Sequence, residues 1–199
     1  MNIRTKIAEF FATVFYIGRI KYAPGTFGSL VAFPICYGVM YLTLNKMISS
    51  GTEWLLDIER QITDLFIIEL LVTLALFLLG TYATSIYISD KEEKDPKEVV
   101  IDEVVGQMLV IVLTSCSIIF VLNSKIYDVF NTNLVDFVLL FLLPFSLFRL
   151  FDIVKPWPIN WVDKNVKGAL GVMLDDILAA LFAVTAHYVI VFFMLDFYS

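Results

Sequence analysis

One histidine, two cysteines and no D-x-D triplet in 199 residues close off several familiar kinds of catalytic site. His187 stands alone inside an apolar run, so no pair of catalytic histidines can be assembled, and a core role is expected for it. Neither Cys36 nor Cys116 opens a nucleophilic Cys-x5-Arg loop, because leucine occupies positions 42 and 122, where that loop requires arginine. Both cysteines lie in apolar runs and read as small buried hydrophobes rather than as a disulfide. Charge is scarce as well. With 17% charged and 59% hydrophobic residues, there is too little polar surface to cover a soluble fold of this length. The net charge of −6 and the lack of a basic face argue against nucleic acid as a partner. No internal repeat is present.

What the chain does contain is long apolar runs, at about 26–44, 65–88, 104–122, 134–150 and 177–195. Crossing a bilayer takes roughly 20 helical residues, with about 17 as the lower bound. The expectation is therefore an all-α polytopic membrane bundle of about five spans, forming a single domain over 1–199. Pro34 and Pro144 fall inside the first and fourth runs and predict kinks there. Residues 1–17 read as an amphipathic interfacial helix: Ile3, Ile7, Phe10, Phe11 and Val14 recur at helical spacing, with Asn2, Lys6, Glu9 and Thr13 opposite. A cleaved signal peptide is the rival reading. Glu9 interrupts its would-be apolar region and no A-x-A-like site follows, so cleavage is not expected.

With five spans, eleven of the fourteen Lys and Arg residues fall on one side, and Lys46, Arg60 and Lys125 on the other. The positive-inside rule then puts the N-terminus in the cytoplasm. The same topology gathers four polar clusters on that side: K-Y-A-P-G-T-F-G-S (21–29), D-P-K-E-V-V-I-D-E-V-V-G (95–106), F-R-L-F-D-I-V-K-P-W-P (148–158) and G-A-L-G-V-M-L-D-D (168–176). Hydropathy alone built the topology, so this convergence points to one composite site.

In this reading Asp102 and Glu103 open the third span, Asp152 closes the fourth, and Asp175 and Asp176 open the fifth. Carboxylates crowded at membrane depth repel one another and need a cation. Hard oxygen ligands without His or Cys point to Mg2+. Arg149 and Lys155 flank Asp152 and can bind phosphate, one as a fork and the other as a point charge. Each feature has a plainer role too. Acids at a helix start complement the macrodipole, long cations snorkel, and Gly25, Gly28, Gly168 and Gly171 allow close helix packing. Backbone N–H groups near Gly25 could receive a phosphate, or Thr26 or Ser29 could simply cap the helix. A transporter is the different-class alternative, disfavoured because the acids sit at span ends rather than at the midplane.

Taken together, the four clusters resemble bacterial phosphatidylglycerophosphatase A in order and spacing, over roughly residues 18–185. The N-terminal helix and a loop at 45–64 lie outside the match. The resemblance implies Mg2+-dependent removal of the terminal phosphate of phosphatidylglycerol phosphate, a phospholipid substrate, at the cytoplasmic face of the bacterial inner membrane. It also implies a site in which Asp102, Glu103, Asp175 and Asp176, with Asp95, hold one or two ions. Asp152 would serve as a further ligand or base, and Lys21, Gly25, Thr26, Ser29, Arg149 and Lys155 would bind substrate. A metal-activated water and a covalent aspartyl-phosphate both stay open as routes. Another membrane phosphatase, acting on a different phosphomonoester or diphosphate, would share this logic. Oligomeric state is left open.

Overall fold

The computed structural model describes residues 2–49, 58–89, 91, 96–117, 121 and 132–197, and among these there is no strand. The elements are α1 (Ile3–Ala12), a single 3-10 turn (Ile17–Arg19), α2 (Pro24–Ser49), α3 (Ile58–Tyr87) and α4 (Ile101–Ser115). They continue with α5 (Thr132–Phe137), a π-helical turn (Val138–Leu142), α6 (Leu143–Val154), α7 (Ile159–Asn165) and α8 (Ala169–Phe197). Asp95 lies outside the described residues.

Four stretches are long and apolar enough to cross a membrane: Pro24–Met47, Arg60–Tyr87, Asn133–Val154 and Ala169–Phe197. The all-α expectation holds, and the protein is a membrane protein. The third of the five expected spans, 104–122, is described as continuous helix only over Ile101–Ser115, 15 residues. That is about 22 Å of helix, short of the ~30 Å bilayer core. Residues 118–120 and 122–131 lie outside the described residues.

Lipid offers helices no hydrophobic drive to associate, so close backbone approach through small side chains takes its place. Ala32, Ala83, Ala179, Ala180 and Ala183 are buried at helix contacts, and α4 is the most enclosed element, with Val104, Val105, Met108, Val110 and Val112 almost wholly covered. Gly106 marks a close crossing of α4 with α6 and α8. A Cβ there would press on the Phe148 ring of α6 and lie 3.1 Å from the Asp176 carbonyl of α8. Pro34 does not interrupt α2, which runs unbroken to Ser49. Pro144, which lacks an N–H, stands one residue past the wide π turn of Val138–Leu142, at the second position of α6. Of the expected 45–64 loop, 45–49 belongs to α2 and 58–64 to α3, while 50–57 lie outside the described residues.

The N-terminal helix is shorter than expected and faces differently. Ala8, Glu9 and Ala12 are buried, while Ile3 and Ile7 are exposed. Glu9 and Thr13, assigned to the water-facing side from spacing alone, turn inward. The reason is local: the chain reverses through Val14, Phe15 and Tyr16, all with positive φ, and brings Arg19 back to pair with Glu9. The Val100 N–H then donates to the Ala12 carbonyl, tying this hairpin to the start of α4. One end of the bundle thus collects the starts of α2, α4 and α8 with the ends of α3 and α6.

Candidate active site

At that end α4 opens with Asp102 and Glu103 in its first turn. Asp176 reaches them from α8, and carboxylate oxygens of Asp102, Glu103 and Asp176 all lie within 4.8 Å of one another. Asp175 and Asp176 do not open a span, as the sequence suggested. Helix α8 begins at Ala169, so both acids sit about two turns inside it, too deep for a macrodipole role. Glu103 Oε2 and Asp176 Oδ2 are buried without a hydrogen-bond partner among the described residues.

Arg149 closes the cluster from α6. Its Nη1 lies 2.7 Å from Asp152 Oδ2 and 3.9 Å from Glu103 Oε1, and it donates to the Ser29 hydroxyl at 3.3 Å. Its Nε has no hydrogen-bond partner among the described residues. Asp152 acts electrostatically on both Glu103 and Asp176. Glu103 and Asp152 thus pair with the one guanidinium, and Glu103 in turn meets Asp102 and Asp176. Buried carboxylates this close repel one another when ionised, a cation would relieve that repulsion, and an all-oxygen donor set with open lone pairs fits Mg2+. The residues present thus fit the metal that the sequence implied.

The start of α2 contributes by being small. A Cβ at Gly25 would overlap the Glu103 carboxylate and sit 3.1 Å from Arg149 Nη2, so only glycine lets α2 approach this closely. Neither Thr26 nor Ser29 caps the helix: the Ser29 hydroxyl donates to the Gly25 carbonyl. Thr26 and Phe27 direct their N–H groups to the Ala23 carbonyl, and Pro24 has none, which leaves few free donors there for a phosphate. Lys21 is exposed, with its ammonium over the Tyr22 ring.

Asp175 and Lys155 fall elsewhere. Consecutive helical residues point about 100° apart, so Asp175 turns away from the cluster when Asp176 faces it. Asp175 Oδ2 pairs with the Lys155 ammonium at 2.5 Å, and Asp163 Oδ1 holds the same ammonium at 2.8 Å. Lys155 caps α6 in a left-handed conformation. Burial by itself would favour the neutral amine, but the hydrogen bonds with Asp163 and Asp175 outweigh it and hold the ammonium above its ordinary range. Lys155 is thus committed to two carboxylates.

Two residues of this end were not legible as site residues. Asp163 sits in the short α7 among Lys164 and Asn165, where it reads as solvated surface. Gln107 is fully buried one turn beyond Glu103, and neither of its amide atoms has a hydrogen-bond partner among the described residues. A lone amide in an apolar helix, four residues after an acid, was the available signal. His187 is buried as expected, its Nε2 2.9 Å from the Ser117 hydroxyl, about three turns along α8 from Asp176. Cys36 and Cys116 are both free thiols.

A family described as Phosphatidylglycerophosphatase A matches residues 10–191. A Haemophilus influenzae protein named Phosphatidylglycerophosphatase A is 32% identical over 185 residues, which cover 92% of this chain and 88% of the relative. The Escherichia coli protein of the same name is 48% identical over 46 residues, 23% of this chain and 27% of its own. A Bacteroides thetaiotaomicron protein named Putative phosphatidylinositol-3-phosphatase is 30% identical over 175 residues, 86% of this chain and 85% of its own. No solved structure matches the chain.

Proposed function

The chain belongs to the phosphatidylglycerophosphatase A family and is a phosphatase, and from that premise we propose that it removes the terminal phosphate of phosphatidylglycerol phosphate with the help of Mg2+. The observation that carries this reading is the meeting of Asp102, Glu103 and Asp176, with two buried carboxylate oxygens unpaired, beside one guanidinium. Asp102, Glu103 and Asp176 would hold the ion, with Asp152 beside them. When bound, Mg2+ supplies Lewis-acid activation of the phosphoryl group and of water. The protein's own contribution is positioning and charge. Arg149, already fixed by Asp152 and Ser29, presents its remaining donors to the phosphoryl oxygens and offsets their growing negative charge. Burial of the acids at the crossing of α2, α4, α6 and α8 keeps bulk water away, which strengthens each of these interactions. Asp152 is oriented by Arg149 and is the carboxylate best placed to accept a proton near the cluster.

The excess of Lys and Arg at this end supports an active site and N-terminus facing the cytoplasm, in the bacterial inner membrane where such a lipid would be processed during phospholipid biosynthesis. A second reading draws on the Bacteroides relative, whose name specifies an inositol lipid: the head group could be a different phosphomonoester. The test is phosphate release by the purified protein in detergent micelles, from phosphatidylglycerol phosphate and from phosphatidylinositol 3-phosphate, with and without chelator. Release from the glycerol lipid that stops on chelation and returns with Mg2+ is expected. Faster release from the inositol lipid would move the assignment to the second reading, and release indifferent to chelation would overturn the metal.

A further inference from the structure

Gln107 is the most conspicuous polar group that the reaction as described leaves unused. It is fully buried, and both its carbonyl oxygen and its amide nitrogen lack hydrogen-bond partners among the described residues. Buried amides are nearly always satisfied, and an exception calls for a ligand or another explicit cause. Its direction follows from helix geometry. Residues four apart lie on one face, one turn or about 5.4 Å along the axis, so Gln107 follows Glu103 on the same face of α4. That face looks onto α2, since a Cβ at Gly28 would lie 3.1 Å from the Val100 carbonyl oxygen and 3.6 Å from the Glu103 Cβ. Along α2 the opposing positions, Gly25, Gly28, Ser29 and Ala32, carry almost no side chain. The amide therefore faces a seam of small residues, one turn further into the bundle than the carboxylates.

We propose that Gln107 is a specificity-determining residue of this phosphatase, hydrogen-bonding a free hydroxyl on the alcohol that carries the scissile phosphate. The proposal rests on the reading above, in which the phosphate sits against Asp102, Glu103, Asp176 and Arg149. Chemical matching selects the hydroxyl. A primary amide offers donors and an acceptor side by side, and a hydroxyl is both acceptor and donor, so one contact satisfies both halves. A phosphate oxygen would leave the amide carbonyl unpaired, a metal ion would leave the nitrogen unpaired, and an acyl chain would leave both. Depth agrees with this choice. Helix α4 runs from the acid-lined end into the apolar bundle, so Gln107 lies deeper than the carboxylates, where the rest of a lipid substrate would extend. A glycerol head group places one free hydroxyl next to the carbon bearing the phosphate.

The experiment compares two lipids in the same micelles, phosphatidylglycerol phosphate and a counterpart whose head group is propanediol phosphate and so lacks the middle hydroxyl. The wild type is expected to prefer the hydroxylated lipid in kcat/KM by about tenfold or more, since sites built to bind a hydroxyl discriminate strongly against its absence. Gln107→Met, unbranched and of similar length, is expected to lose that preference by slowing on the hydroxylated lipid alone. Its thermal midpoint should match or exceed the wild type, because an unsatisfied buried amide has been removed. Equal wild-type rates on the two lipids, or an undiminished preference in Gln107→Met, would overturn the proposal and leave the phosphatase reading standing. The wild-type comparison decides the matter by itself if the variant fails to fold. Release from neither lipid would instead overturn the phosphatidylglycerol phosphate reading and this proposal with it.

Discussion

Two acidic neighbourhoods sit side by side at the polar end of the bundle, and they are supplied by adjacent residues of one helix. Asp176 joins Asp102, Glu103 and Asp152 around a single Arg149, leaving negative charge in excess and two oxygens unpaired. Asp175 joins Asp163 around Lys155, and every partner there is engaged in an ion pair. The first arrangement is poorly stable without a further cation, whereas the second holds together by itself. Its geometry is also structural in kind, since Lys155 ends α6, Asp163 belongs to α7 and Asp175 to α8. The triangle pins three elements on which Arg149 and Asp176 ride. Under the proposed function, proximity in sequence conceals a division of labour, with Asp176 proposed for ligand binding and Asp175 for holding the frame.

The largest expected effect separates the two aspartates directly. Asp176→Asn should lower kcat by about a hundredfold or more, the scale at which preorganised electrostatic groups act. Asp175→Asn should lower it by about tenfold, the scale of a group that only orients the reacting ones. Phosphate release under saturating Mg2+ measures both, and equal losses would erase the distinction.

A thermal measurement sharpens the same contrast. A ligand that binds only the folded state raises its stability. Added Mg2+ should therefore raise the melting midpoint of the wild type and of Asp175→Asn, and should leave Asp176→Asn and Asp102→Asn nearly unmoved. In chelator the order should invert, with Asp176→Asn melting above the wild type because a repelling charge is gone. An Asp175→Asn variant that no longer responds to Mg2+ would place Asp175 back among the ligands.

Much of this end was legible in the sequence, and the part that was not has a geometric cause. Hydropathy and charge counting are one-dimensional, and they locate helix ends well enough that 24–29, 102–103, 149–155 and 175–176 meet at one end of the bundle. They do not give rotation about a helix axis to better than a residue, so Asp175 and Asp176 could not be told apart. The start of α8 was also misplaced. Ala169–Leu174 is apolar enough to belong to the helix, yet the apolar run was started only after the acid pair. In α1 the period was found but the buried face was not, because the inward turn of Glu9 depends on Arg19, which returns through three left-handed residues. Gln107 went unread because one amide in an apolar run carries no pattern. Its isolation becomes informative only when burial and missing partners are known.

A smaller effect is expected at Lys155. Removing its ammonium by Lys155→Ala leaves the Asp175 carboxylate buried without its cation, which should cost about 1–3 kcal/mol of stability. Turnover should fall by about tenfold in kcat with KM little changed, as expected of a group that positions others. Lys155→Arg should recover most of the stability. A large rise in KM with unaltered melting would instead mean that Lys155 leaves its two aspartates to bind phosphate.

The smallest effect concerns pH, and it isolates the triangle from the cluster. The Lys155 ammonium is held above its ordinary value of 10.5 by Asp163 and Asp175, despite burial that acts the other way. A basic group with a raised folded pKa contributes stability that is fully present below its unfolded pKa and is lost as pH rises through the folded value. The melting gap between the wild type and Lys155→Met should therefore be flat from neutral pH to about pH 10, where unfolded lysine begins to titrate, and narrow only above that. Measured in chelator, so that metal binding does not contribute, the comparison reads the triangle alone. A gap that closes near neutral pH would show that the ammonium is not held by these two carboxylates, and the contrast between the self-sufficient triangle and the cation-hungry cluster would fail at its simpler member.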